Sequence, residues 1–320
     1  GLFGSVSGTI DSLNVNGSVT LSGTGSSMNV ALLCGTLSNG GVIEYCNVSG
    51  NVNSTVNPTE DGYGSNAGLI VGTSSGEVRY CIGTGNVVGV GYAGGLIGQM
   101  NNGSIANACS FTGSVTANTP HVQNTNNLSY GYGSYAGGIC GAMRSGAEII
   151  FCVVNADIQS ETRTSGVGST AGTAGGFFGG NGTQNDDVSI ELTNSYAAGN
   201  LNGNAVHDTT MTNGSGTITP TYYEGEILSG GQEYDPYAIV EALNDAIPTA
   251  EQNKFYFDVV NGEVVLIIGQ RPTTPDFVCE PPIGLTVSIE NGIFDARWSV
   301  ENQDASYNEQ EFIITISGGE

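Results

Sequence analysis

The sequence predicts an all-β fold: a right-handed parallel β-helix with a small helix-plus-hairpin cap and a partial β-sandwich at its C-terminal end. Two recurring marks and one spacing predict it. A short apolar segment ending in glycine occurs six times, at Gly1-Leu2-Phe3-Gly4, Leu32-Leu33-Cys34-Gly35, Leu69-Ile70-Val71-Gly72, Leu96-Ile97-Gly98, Ile139-Cys140-Gly141 and Phe177-Phe178-Gly179. Each is followed by a position with Gly or Ala four residues on: Leu13/Gly17, Cys46/Gly50, Cys81/Gly85, Cys109/Gly113, Cys152/Ala156 and Ser195/Gly199. The shortest step between motif glycines is 26 residues, from 72 to 98, which suits one coil of three short strands. Such self-similarity marks stacked architectures, where each unit buries its apolar side only against the next.

The elements follow from the unit Tyr92 to Val115, YAGGLIGQMNNGSIANACSFTGSV. Leu96-Ile97-Gly98 opens a strand, Asn102-Gly103 turns the chain, a second run ends at Cys109, and a third passes through Gly113-Ser114-Val115. Glycine and β-branched residues every few positions argue against helix. Glycines are expected at corners, where positive φ is tolerated without a Cβ. The longer units carry insertions between the third strand and the next glycine-rich start, at 53–66, 116–135 and 159–173. Stacking puts like positions into files. One is Leu2, Leu33, Ile70, Leu96, Ile139 and Phe177; its neighbour is Phe3, Cys34, Val71, Ile97, Cys140 and Phe178. Successive strand residues face opposite ways, so either a corner buries both files or one forms a lateral contact surface.

Six of the seven cysteines lie in the repeats: Cys34, Cys46, Cys81, Cys109, Cys140 and Cys152. Cys46, Cys81, Cys109 and Cys152 share one file. Stacked strands place their Cα atoms ~4.8 Å apart, within disulfide range, but their parallel Cβ vectors suit a bond poorly. A file of buried thiols acting as small hydrophobes is therefore one reading. Matched disulfides Cys34–Cys46 and Cys140–Cys152, each spanning 12 residues, are the other. No CxxC or Cys–His spacing points to zinc, and no metal or cofactor is expected.

The formal net charge is −24, from 30 acidic and 6 basic residues. That excludes electrostatic binding to nucleic acid or an anionic membrane. The acid is uneven. Residues 1–205 hold 11 Asp/Glu against 3 Arg (−8) and residues 206–320 hold 19 against 2 Arg and 1 Lys (−16), which sets a boundary near 205. No apolar run reaches the ~20 residues of a membrane helix. Gly1 already lies inside a repeat, so a leader and further sequence are expected to precede it. Seven Asn-x-Ser/Thr sequons occur about as often as chance provides in so Asn-, Ser- and Thr-rich a chain and carry no information on glycosylation.

The repeats at 1–205 resemble the GLUG-motif repeat of bacterial surface and adhesin-like proteins, named for Gly-Leu-apolar-Gly. Gly95-Leu96-Ile97-Gly98 and Gly1-Leu2-Phe3-Gly4 match in full, Gly68-Leu69-Ile70-Val71-Gly72 is degenerate, and Leu33-Cys34-Gly35 lacks the first glycine. The resemblance implies a secreted, multi-domain, cell-surface protein and no particular catalytic set. Residues 206–270 are expected to form a cap: a polar loop to about Pro220, then a helix at Tyr237–Ala246 with Asp235 as N-cap and Pro236 in its first turn. Phe255-Tyr256-Phe257-Asp258, the turn Asn261-Gly262 and Val264–Ile268 give a hairpin. This order resembles the segment that closes GLUG arrays, covering the open end of the stack. Residues 271–282 form a Pro-rich linker. Residues 283–320 resemble the opening strands of a fibronectin type III or immunoglobulin-like sandwich, with Leu285, Val287 and Trp298 as core; about three of some seven strands are present.

Catalysis finds little support in the residues. A lyase needs a basic residue beside acidic groups, but Arg79 and Arg144 lie in different repeats without a matching acidic cluster, and Arg79 suits an outward, solvated position. A hydrolase needs two carboxylates on one cleft; Glu60-Asp61 and Asp186-Asp187 sit in insertions, and His121 and His207 in loops. The expectation is a non-catalytic protein. Tyr63, Tyr92, Tyr130, Tyr132 and Tyr135 gather just before repeat starts, so stacking aligns them on one edge. There they either meet a sugar or protein or pack over corner glycines. The sequence thus points to an extracellular, cell-surface structural or adhesive protein that presents its insertion loops to a host or neighbouring-cell protein or glycan, with no nucleic-acid partner and no membrane insertion. One alternative is a filament subunit joining copies of itself through an open first coil and an incomplete sandwich; another is a polysaccharide-active β-helix enzyme.

Overall fold

The computed structural model describes residues 1–25, 27–57, 64–118, 134–161, 172–181, 191–202, 205–207, 217–224, 235–272, 283–290 and 293–299. They fall into two compact units, Gly1–Arg271 and Pro272–Glu320. The first is an all-β parallel β-helix with one helix and one hairpin among its described residues.

The apolar-glycine motif builds a six-stranded parallel sheet from Phe3–Val6, Cys34–Leu37, Val71–Ser74, Ile97–Met100, Cys140–Met143 and Phe178–Asn181. Its register runs Phe3, Cys34, Val71, Ile97, Cys140, Phe178, one residue from each coil. Short strands follow in each coil (Thr9–Asp11, Val42–Glu44, Glu77–Arg79, Ile105–Asn107 and Glu148–Ile150). Beyond them lies a long face of Asn14–Thr24, Asn47–Asn57, Ile82–Gly94, Ser110–Asn118 and Val153–Ser160. Return strands then lead back: Met28–Val30, Ser65–Gly68, the end of Ile82–Gly94, Tyr135–Gly137, Thr173–Gly175 and Ala205–His207.

Both apolar files of the motif are interior. Leu33, Ile70, Leu96, Ile139, Cys34, Val71, Ile97 and Cys140 are fully buried, and Phe177 and Phe178 nearly so; only Leu2 and Phe3 of the first coil are exposed. The corner takes in both files, so neither forms a lateral surface.

The glycines have two distinct causes, one of which differs from expectation. Gly72, Gly98, Gly141 and Gly179 of the motif are not at positive φ. A Cβ there would meet return-strand backbone instead: at Gly98 it would lie 2.6 Å from Ala67 N, and at Gly141 2.6 Å from Ala93 N. Close approach of two sheets, not torsional freedom, demands glycine. The second file, Gly17, Gly50, Gly85, Gly113, Ala156 and Gly199, does carry positive φ at Gly50, Gly85, Gly113 and Gly199. There a Cβ would also lie 1.8 Å from the preceding coil's carbonyl oxygen at Gly50, Gly85 and Gly113.

Just before that file stands a corner made without glycine. Ser12, Tyr45, Tyr80, Ala108, Phe151 and Asn194 all have φ between 46° and 56°. The next residue turns inward, which builds the predicted thiol file. Each Sγ donates to the carbonyl two residues back: Cys46 to Glu44 at 3.2 Å, Cys81 to Arg79 at 3.1 Å, Cys109 to Asn107 at 3.3 Å and Cys152 to Ile150 at 3.4 Å. In the sixth coil Ser195 Oγ does the same to Thr193 at 2.8 Å. All six described cysteines are free and buried, so neither Cys34–Cys46 nor Cys140–Cys152 is bridged. Burial pushes the Cys81, Cys109 and Cys140 thiols well above the ordinary thiol value, which makes them inert hydrophobes.

Two expectations for 206–270 are revised. The stack runs past residue 205: Ala205–His207 pairs with Thr173–Gly175, and Thr217–Glu224 pairs in parallel with Glu191–Ala198. Thr, Ile and Tyr in TITPTYYE favour strand, so the change in charge there does not end the coils. The helix Pro236–Asp245 forms as its cap predicts, with Asp235 Oδ1 accepting from the backbone N–H groups of Tyr237 and Ala238. The hairpin Phe255–Val260 and Glu263–Ile268 turns at Asn261-Gly262, both at positive φ. The two are tied by buried Asn244, which donates to Phe257 O and accepts from Phe257 N, each at 2.9 Å. They pack along the flank rather than over an end: Val240, Leu243, Phe255, Phe257 and Val264 form a second core with Tyr80, Ala108, Phe151, Val153 and Tyr196. That flank is apolar because the left-handed corner turns Tyr80, Ala108 and Phe151 outward.

In the second unit Ile283–Glu290 and Ile293–Ser299 form an antiparallel hairpin. The third expected strand, Phe312–Ile316, and most of the Pro-rich linker lie outside the described residues.

Candidate functional site

The motif sheet and the return strands meet at a concave corner, and pairs seven residues apart face each other across it. Asn29 Nδ2 donates to Thr36 Oγ1 and Asn66 Nδ2 to Thr73 Oγ1, both at 3.0 Å, and Asn66 Nδ2 also reaches Asn29 Oδ1 at 2.9 Å. The register carries the same positions through Tyr92 and Gln99, Tyr135 and Ala142, then Thr173 and Gly180. The Tyr92 and Tyr135 rings stack at 5.3 Å between centroids. Tyr135 lies where a Cβ on Gly180 would be, 2.8 Å from the ring, so the small residue opposite makes room for the ring. Gln99, with its amide oxygen turned toward the guanidinium, accepts from Arg144 Nε at 2.7 Å and from Nη2 at 3.0 Å. The corner therefore combines one partly exposed aromatic face, amides and one cation whose described partner is neutral.

The insertions leave beside this corner. Asn57 to Ser65, Asn118 to Tyr135 and Ser160 to Thr173 are all gaps between the long face and a return strand, in the second, fourth and fifth coils. In the third coil the strand Ile82–Gly94 crosses without a break. A further segment, between Asn181 and Glu191, leaves from a different corner, where its counterpart from Met143 to Glu148 is short; the sequence pattern had placed every insertion at one junction.

Two charged clusters lie on the outer surface. Arg79 is not free in solvent but paired: Nη2 is 2.8 Å from Glu44 and Nη1 3.2 Å from Glu77. Tyr80 beside it stacks on Tyr45 and donates to Glu251, which Lys254 also holds at 2.8 Å. Burial, then the Glu251 partner, raise the Tyr80 phenol. For Glu251 burial works against the charge, but hydrogen bonds from Lys254 and Tyr80 outweigh it and hold the carboxyl below its ordinary value. Separately, Glu148 and Glu191 are in-register neighbours; burial, then the Glu191 charge, raise Glu148.

Of the predicted tyrosines, Tyr92 and Tyr135 do come together, with Tyr92 only 1% exposed and Tyr135 half-buried. Tyr63, Tyr130 and Tyr132 lie outside the described residues, as do Glu60-Asp61, Asp186-Asp187 and His121. His207 is in a return strand rather than a loop. Asn66 and Gln99 were not anticipated, and Arg144 was considered only as a lyase base, not as a corner residue. The seven-residue offset repeated at Asn29/Thr36, Asn66/Thr73 and Tyr92/Gln99 is the signal that marks the first two. Among the described residues no group of three or more His, Cys, Asp or Glu is placed to hold a metal, and no helix is long and apolar enough to cross a membrane.

No family model and no curated protein matches the chain, so the GLUG resemblance rests on the motif residues alone. Among solved structures, a crystal structure described as a putative immunoglobulin A1 protease from Bacteroides ovatus is similar. The likeness has 16% identity and a TM-score of 0.47, and it covers 81% of this chain and 75% of that one. The expectation that the chain is not an enzyme is corrected on this finding, since the similar structure bears an enzyme's name. At that identity and score the likeness assigns no activity to this chain.

Proposed function

We propose that the chain is an extracellular, adhesive β-helix of the cell surface that presents its insertions to a glycan or protein partner. The observation that carries this reading is the common exit of three insertions beside the Tyr92–Tyr135 corner. Stacked coils bring the exits of separate loops onto one edge, and loops on a rigid scaffold are where binding residues concentrate. The third coil supplies the control. Replacing 58–63, 119–133 and 162–171 with the direct crossing seen in Ile82–Gly94 removes the insertions and keeps the stack. Binding to an immobilised panel of glycans and cell-surface proteins is expected to fall at least ~10-fold, the scale of one lost anchor contact, with the circular dichroism unchanged. Unaltered binding by the trimmed chain rejects the reading.

A second reading, a polysaccharide-active enzyme, is favoured by Glu148 and Glu191. Register sets the two residues side by side on neighbouring strands, a retaining glycosidase uses two nearby carboxyl groups, and a raised Glu148 suits the acid of such a pair. Release of reducing ends from polysaccharide, abolished by both Glu148→Gln and Glu191→Gln, is the outcome this reading requires.

A further inference from the structure

We infer that the open long face of coils one to four is a docking surface for a neutral, hydroxyl-rich polysaccharide. The four strands are Asn14–Thr24, Asn47–Asn57, residues 82–90 of the strand Ile82–Gly94, and Ser110–Asn118; side chains such as Val48, Val52, Val87 and Val115 point into the core, and their alternates form the face. No residue of these strands is Asp, Glu, Lys, Arg or His, in a chain of net charge −24. The chain as a whole is only 11% charged, below the share of about a quarter to a third usual for a surface kept in solution by charge. On this face charge is absent altogether, which suits a neutral occupant better than a charged one. The first charge on the face is Asp157, in the fifth coil. That is also where the hairpin covers the strands, through Asn155 Nδ2 to Val264 O at 3.2 Å.

The polar groups on the open part are already ordered. Asn16 Nδ2 donates to Ser49 Oγ at 2.7 Å, Asn86 Nδ2 to Asn51 Oδ1 at 2.8 Å, and Ser114 Oγ to Asn86 Oδ1 at 2.7 Å. These bonds run from coil to coil and fix the side chains before any ligand arrives, so docking loses little rotamer entropy. Rows of amides and hydroxyls recur every ~4.8 Å along the stack. A polymer of sugar rings laid along that axis meets a fresh row at nearly every ring. The alternatives fit less well. A protein partner relies on aromatic or Arg anchors, and these strands carry no Arg and no exposed aromatic side chain, since Phe111 is fully buried and Tyr92 lies beyond the face in the return strand; a sugar here is held by amides and hydroxyls and not by ring stacking. Acidic polymers find no cation here.

The inference adds a second surface to the adhesive reading, and one experiment separates them. The full chain is mixed with suspended cellulose or chitin, or with cross-linked polygalacturonate, and the protein left in solution is measured. The expected result is depletion by a neutral polymer that persists in about 0.5 M NaCl, where the Debye length falls to roughly 4 Å and screening leaves uncharged contacts intact. Asn86→Asp and Thr112→Asp, both exposed, place a carboxylate against the neutral polymer. Each is expected to weaken binding roughly 10-fold or more, while the insertion-trimmed chain still binds. No depletion by either neutral polymer overturns the inference. So does depletion only by polygalacturonate, or binding that the two substitutions leave unchanged. Loss on trimming but not on substitution overturns it too, and leaves the insertion reading standing.

Discussion

Two files run side by side up the solenoid, one residue apart in sequence. The inner one, Cys46, Cys81, Cys109 and Cys152, is the same from the second coil to the fifth; the outer one, Tyr45, Tyr80, Ala108 and Phe151, differs at nearly every step. An inner side chain meets only its own counterparts above and below, and a close-packed interior accepts one shape repeated. An outer side chain meets whatever lies against its coil. Tyr45 stacks on Tyr80 with its outer side in solvent, Tyr80 meets Glu251 and Lys254, Ala108 leaves room, and Phe151 packs on Phe255 and Phe257. Uniformity thus marks stacking, and variation marks docking.

Substitutions can break or sharpen this contrast. The largest effect is expected inside, from Gly85→Ala. A Cβ there collides with Gly50 O at a φ of +147°, and the loss should be ~4 kcal/mol or more, seen as a lower urea midpoint for the whole stack. Outside, Phe151→Ala should cost ~3 kcal/mol. It should loosen the helix and hairpin first, so hydrogen exchange rises across 235–270 while the coils stay protected. Glu251→Gln should cost about 1 kcal/mol with a pH signature. A carboxyl held below its ordinary 4.5 in the folded state contributes fully above that value and loses its contribution as pH falls through the depressed folded value. The wild type should therefore lose stability relative to the variant below pH 4.5. The smallest effect is expected from Glu148→Gln, a gain of ~0.5 kcal/mol at neutral pH. A carboxyl raised in the folded state penalises folding above its ordinary 4.5, and the gain should vanish at more acid pH.

The same contrast explains what the sequence disclosed. The motif files, the thiol file and the glycine file were legible because each repeats itself. The capped helix and the Asn-Gly hairpin were legible because their signals are local. Their place on the flank was not, since Phe255 finds Tyr80 and Phe151 across more than a hundred residues and nothing local encodes that meeting. The non-glycine corners were hidden because Tyr and Phe at positive φ go against local preference; only the stack holds them there. At the concave corner Tyr92 and Tyr135 could be read, but the Arg144–Gln99 contact could not, because it joins residues of neighbouring coils and nothing local encodes it.

The docked hairpin has a mechanical consequence. By touching Tyr80, Ala108, Phe151 and Tyr196 it splints several turns of the rod with a single segment, although no disulfide joins any of them. Under tension from the two ends, the unsplinted first turns should peel away singly while the braced ones yield together, giving a force trace of small early steps followed by one large rupture.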